Sequence, residues 1–140
     1  MTEFKRNISG RQYQDYLTAQ LAVANKFSFV TRFDVGVFEQ AENLLAALQP
    51  FFIRKAVTTS WLANEVFPEN DEIMAEIYEY QLNDQSLAVL LNHSNSLFDW
   101  GDGALSELPE DLALYHNDTP IFSVNGHEHY YETYAAETED

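Results

Sequence analysis

The chain contains no cysteine among its 140 residues. Disulfides, thiolate metal sites and a cysteine nucleophile are therefore excluded, and the absence agrees with a cytoplasmic protein. No apolar run approaches the ~18 residues that a membrane-spanning helix needs. The first ten residues, MTEFKRNISG, carry charge but no apolar segment behind it, so no secretory signal is expected. No internal repeat, low-complexity stretch or linker divides the chain, and residues 1–140 read as a single domain with an acidic tail, 135–140, that frays. The most informative absence is of one sign of charge. All seven Lys and Arg lie within the first 55 residues, beside five acids, whereas residues 56–140 hold 18 Asp and Glu and no Lys or Arg. Such a segment cannot neutralise itself through internal ion pairs. It repels nucleic acid and anionic membrane and attracts basic partners. Surfaces made soluble by charge usually mix the signs, so acidity kept only for solubility explains this distribution poorly.

What is present suffices for a core. With 46% hydrophobic and 14% aromatic residues, a chain of this length buries roughly two-thirds of its unfolded surface and is not intrinsically disordered. Tyr13, Tyr16, Leu17, Leu21 and Ala24 fall near helical spacing, predicting a helix over about 11–25 with Ser9 or Gly10 at its cap. FSFVTRFD (27–34) alternates as a strand. Phe38, Ala41, Leu44, Leu45 and Leu48 share one helical face over 37–49, and Pro50 stops it. The stretch from Phe51 to Phe67 has no decisive period. EIMAEIYEYQL (72–82) reads as a strand covered on both faces, and Asn83 or Asp84 caps a short helix, DQSLAVLLN. LFDWGDGALSELPED is a turn-rich acidic loop. DLALY, PIFSV and HEHYYETY follow as three strands, the last two joined at Asn125-Gly126, a two-residue hairpin signal. The expected fold is α+β: N-terminal helices, then a mostly antiparallel sheet of about four strands with one crossover helix.

Motifs for chemistry are weak. If HEH lies on a strand, His127 and His129 share a face and could ligate zinc, but no spacing selects a third ligand from His93, His116 or a carboxylate. Paired acids such as Glu110-Asp111 are common among 23 Asp and Glu and define no cleft. Asp99, Asp102 and Glu107 around two glycines lack the D-x-D-x-D-G spacing of a calcium loop. No Ser/His/Asp arrangement, phosphate loop or H-E-x-x-H motif stands out. No catalytic residue, metal ligand or cofactor is assigned, and the protein is expected not to be an enzyme.

Partner binding is better supported. Period-two alternation puts Glu128, Tyr130, Glu132 and Tyr134 on one face of the last strand. Carboxylates interleaved with phenol rings suit arginine and lysine, through charge-assisted pairs and stacking. Asp99, Asp102, Glu107, Glu110 and Asp111 extend the candidate contact surface, and Glu65, Glu69, Asp71 and Glu72 form a further acidic segment.

In size, in lack of cysteine, in one-sided acidity and in the run SLFDWGDGALSELPEDLALYHNDTPIFSVNGHE, the chain resembles small bacterial immunity proteins that neutralise nuclease toxins, over about residues 60–134. The resemblance transfers no functional residue by position. It implies an acidic inhibitor that binds and occludes a basic, nucleic-acid-acting toxin without touching nucleic acid or membrane itself. The alternatives are a phage-type DNA mimic that blocks a restriction or CRISPR effector, and a small enzyme or metal-binding protein whose acidity is incidental. The last predicts a deep pocket with converging polar groups, whereas the first two predict an open acidic surface.

Overall fold

A computed structural model describes residues 2–33, 37–58, 61, 74–101 and 106–134. In chain order these form β1 (Thr2–Phe4), α1 (Gly10–Gln20), β2 (Lys26–Arg32), α2 (Glu39–Leu48), β3 (Phe52–Thr58), β4 (Ala75–Gln81), α3 (Asp84–His93), β5 (Glu110–His116), β6 (Thr119–Asn125) and β7 (Tyr130–Thr133). Single turns of 3₁₀ helix at Gln49–Phe51 and Leu97–Asp99 follow α2 and α3. The strands make one sheet in the order β1-β7-β6-β5-β2-β4-β3, with every neighbouring pair antiparallel.

This corrects the expected four-stranded sheet preceded by helices. The sheet has seven strands, and two of the three helices sit between strands of its first half. The helix α3 does cross over: it links β4 to β5, which flank β2 on either side. The strands missed are both edges. Three-residue β1 is too short to show alternation, and its place comes from pairing with β7, Phe4 opposite Tyr131. All seven residues of β3 are partly or largely exposed on a two-sided edge, so no periodic burial marks it.

Strand alternation builds the core on one face. Phe27 and Phe29 of β2, Tyr80 of β4, Leu112 and Leu114 of β5, Phe122 and Val124 of β6 and Tyr131 of β7 join Tyr13, Leu17, Leu44, Leu48, Leu87 and Leu90 from the three helices. All three helices therefore lie on the same side. Trp100, fully buried, stacks on Phe29 at 5.8 Å. Local signals agree with these elements. The Asn83 side chain accepts from the N–H groups of Gln85 and Ser86, and Ser86 returns a bond to the Asn83 N–H, a reciprocal cap that starts α3. Helix α1 ends at Gln20, short of the expected residue 25, because the chain must turn for Asn25 to bond Tyr115 at the start of β2.

The other face of the sheet has no helix packed on it among the described residues. It carries Lys26, Ser28, Val30 and Arg32 of β2, Ile77 and Glu79 of β4, Ala113 and Tyr115 of β5, Ser123 and Asn125 of β6 and Tyr130 and Glu132 of β7. Trp61, from the β3–β4 connection, packs there on Val30 and Ala75.

Candidate functional site

The open face divides by charge. On β2, β3 and β4 its cations are matched. Glu79, only 14% exposed, lies 3.5 Å from Lys26 and 2.9 Å from Arg54, and Lys26 also donates to Asp118 at 2.7 Å. Arg32 sits 3.7 Å from Glu110. Burial alone would lower the Lys26 pKa, but the hydrogen bond it donates to Asp118 and the charge of Glu79 outweigh it, and the net shift is upward. The Asp118 carboxyl is held below its ordinary range by the same bond. On the helix-covered side of the same edge Lys55 and Glu76 approach to 3.9 Å. The N-terminal bases thus reach four acids of the segment 56–140, because β2 inserts between β4 and β5 and β3 pairs with β4. A charge separation that is complete along the chain is partly closed in space.

The half made of β5, β6, β7 and β1 is different. Small residues at its inner border and within it, Ser28 of the adjoining β2 and Ala113 and Ser123, are buried although no helix among the described residues covers them. Tyrosines make the cover. The Tyr115 hydroxyl meets Ser28 Oγ at 2.9 Å, and the Tyr134 hydroxyl meets Ser123 Oγ at 2.9 Å. Burial raises the pKa of Tyr115, Tyr130 and Tyr134 above the ordinary phenol value, with nearby Glu132 adding to the rise at the last two. All three remain neutral phenols near pH 7. Among them Glu132 stands directly across from Glu3 of β1. Directly opposed like charges are unfavourable in an antiparallel pair unless a cation offsets them. A cation does stand by: Lys5 Nζ is 4.0 Å from Glu3, but 81% exposed, so the pair is weak and screened. Glu3 was invisible as a site residue, since only the β1–β7 register reveals it.

The sequence-derived contact residues do not all meet. Tyr130, Glu132 and Tyr134 share the open face as expected. Glu128 does not lie on that strand; it is exposed in the turn 126–129, its N–H bonded to Asn125 Oδ1 at 2.8 Å, and β7 begins only at Tyr130. The two-residue Asn-Gly turn is replaced by this longer one for a packing reason. Gly126 is buried against the next loop, and a Cβ there would run into the Trp100 carbonyl. The positive φ falls on His129 instead, at 62°. His127 and His129 are accordingly turn residues that do not share a strand face, and the His129 ring stacks on Phe98 at 5.5 Å. Among the described residues no three His, Asp or Glu side chains gather as metal ligands.

Asp99 is spent locally: its carboxylate accepts from the Asn95 and Ser96 N–H groups and from Ser96 Oγ, capping the 3₁₀ turn. Glu107 is exposed beside α2, where its N–H donates to Gln40 Oε1. Glu110 is engaged by Arg32. Asp102, with Glu65, Glu69, Asp71, Glu72 and the tail 135–140, lies outside the described residues.

Asp111 is the largest departure. Expected on the surface, it is 4% exposed. Two residues of β5 stand opposite one of β2 between the pairs Ser28–Ala113 and Val30–Glu110, and at this bulge Asp111 takes a φ of 59°. Its N–H leaves the ladder for the Trp100 carbonyl at 3.2 Å. Its Oδ2 accepts from the Trp61 indole N–H at 2.8 Å, while Oδ1 has no hydrogen-bond partner. Burial, with a contribution from Glu110, pushes its pKa up to about 7; the Trp61 bond, Arg32 and the nearby Gly126 N–H oppose the rise. That N–H lies close enough to ease the charge yet outside hydrogen-bonding geometry. Asp111 joins the two halves of the open face from within and offers no carboxylate to a partner.

Beside this seam, where α2 begins, is a cavity of about 440 Å³. Val30, Phe38 and Leu108 contribute to its apolar wall, and Arg32, Glu107 and Glu110 are its charged residues. Among the described residues no helix is long and apolar enough to cross a membrane. No protein-family model, curated protein or solved structure matches this chain.

Proposed function

We propose that this protein is an acidic inhibitor of the immunity type, which binds a basic nucleic-acid-acting toxin through the tyrosine-covered half of its sheet and occludes the surface that would hold nucleic acid. The observation that carries the reading is the Glu3–Glu132 opposition, set among Tyr130, Tyr134 and Tyr115. Carboxylates set side by side among phenol rings suit an arginine or lysine from a partner, through charge-assisted pairs. The phenol rings provide flat, rigid surface for guanidinium stacking at little entropic cost. Glu128, exposed in the adjoining turn, extends the negative rim. Asp111 takes no part, and Asp99 and Glu110 already have partners.

A toxin that cleaves nucleic acid must present Lys and Arg to phosphates. A carboxylate surface competes for the same groove, and a net charge of −16 steers the encounter. Beyond about 8 Å at physiological salt that steering is screened, so the rings and the opposed carboxylates supply close contact.

The test is affinity capture from the native cell lysate at low salt, followed by nuclease assays on what elutes as salt rises. The expected eluate is a basic nuclease, inhibited at one-to-one stoichiometry by the wild-type protein and poorly by a Glu3→Lys/Glu132→Lys variant. An eluate without basic proteins, or inhibition indifferent to both reversals, would overturn the reading. Capture of a restriction or CRISPR effector would move the protein to the DNA-mimic class.

A further inference from the structure

The cavity at the start of α2 lies apart from the tyrosine face and has a chemistry of its own. Its volume, about 440 Å³, is in the range that holds a small organic molecule, which is roughly 300–1,000 Å³. One wall is apolar, from Val30, Phe38 and Leu108, and Phe38 is exposed there as the residue that precedes α2. The charged groups sum to the acidic side. Arg32 is offset by Glu110 at 3.7 Å, which leaves the exposed Glu107 in excess. Asp111, next along the chain, is buried and does not line the cavity. An anionic ligand would meet this excess and a protein of net charge −16, and a neutral one would gain nothing from it.

We infer that this cavity binds an organic cation with an apolar arm: an amidinium, guanidinium or ammonium head held toward Glu107, and a ring or short alkyl chain against Phe38 and Val30. Cation–π contact with the Phe38 ring and the negative rim act on the same head group. Such a cation comes either as a free small molecule or as a basic side chain of a protein partner, and the site chemistry is the same for both.

The test is titration of the full chain with benzamidine, followed by NMR of the backbone amides, with benzamide and benzoate as neutral and anionic isosteres. Saturable binding of benzamidine is expected, with shifts concentrated at Val30, Phe38, Gly101 and His127, while benzamide binds more weakly and benzoate is excluded. Glu107→Gln is expected to weaken benzamidine about two- to fivefold, the worth of one exposed charge, and Phe38→Ala about fivefold. Both residues are exposed, so the fold survives either change, which the same spectra verify. Absence of saturable benzamidine binding, equal binding of benzamide, or unchanged affinity in both variants overturns the inference. Where a captured partner is in hand, competition by benzamidine assigns the cation to that partner and simultaneous binding assigns it to a free ligand. Benzamidine binding with no partner captured would remove the proposed inhibitor function and leave this site standing.

Discussion

The two halves of the open sheet face solve the same electrostatic problem in opposite ways. On β2, β3 and β4, every cation of that face is placed against a carboxylate: Glu79 bridges Lys26 and Arg54, and Arg32 meets Glu110. On β5, β6, β7 and β1, tyrosines cover buried Ser123 and Ser28 of the adjoining β2, and two glutamates stand opposite each other in the edge pair. The first half is internally balanced and needs no partner. The second places two carboxylates side by side among phenol rings. Net charge alone therefore overstates how one-sided the folded surface is, because β2, β3 and β4 set bases against acids.

The seam between the halves gives the largest expected effect. Folding raises the Asp111 pKa from 3.8 to about 7, so the folded state holds a proton that the unfolded state releases. The stabilisation from this group is complete below about pH 4 and is lost as pH rises through 7. Three units at 1.36 kcal/mol each set an upper bound of about 4 kcal/mol. Asp111→Asn keeps the shape and can still accept from Trp61, and it should be more stable than wild type at pH 8 by about 2–4 kcal/mol, with the difference shrinking toward pH 4. Urea unfolding across that window checks this, and parallel wild-type and variant curves would show that Asp111 is ionised without cost in the fold.

Breaking the balanced half should cost less. Glu79→Ala leaves Lys26 without one of its two carboxylates in a partly buried place, and we expect a loss of about 1–2 kcal/mol, moderated by the exposure of Arg54. The corresponding change on the other half, Glu132→Gln, should alter stability by less than about 0.5 kcal/mol at low salt, and be indistinguishable from wild type at high salt. If both changes destabilise alike in denaturant titrations, the distinction between the halves fails. The smallest effect is the salt response of the wild type: moderate salt should raise its melting temperature by screening the acids that lack cations, and a flat response would mean the pairs already compensate them.

The parts of this fold legible in the sequence are those set by local chemistry. Pro50 ends the second helix, Asn83 with Ser86 starts the third, and the two-sided strand at 75–81 shows Ala75 and Ile77 on one face with Tyr78 and Tyr80 on the other. The parts that were not legible depend on distant contacts. β1 exists because Phe4 stacks on Tyr131. Gly126 reads as a turn residue but serves the close approach to Trp100, and that lengthens the turn and takes Glu128 off the strand. Asp111 reads as one more surface acid, and only the bulge opposite Phe29 and the indole of Trp61 bury it. For the candidate site, Tyr130, Glu132 and Tyr134 followed from alternation along one strand. Glu3 could not, because cross-strand register is absent from a single sequence.

The most direct measurement is the association rate of the captured partner as a function of ionic strength, for wild type, for Glu3→Lys/Glu132→Lys, and for Glu42→Lys on the exposed side of a helix as the control. The account predicts that the double reversal slows association by about tenfold or more at low salt and flattens its salt dependence, while the helix reversal leaves the rate within about twofold. Equal slowing by the two variants would mean that overall charge steers the partner and that the tyrosine-covered half is not where it lands.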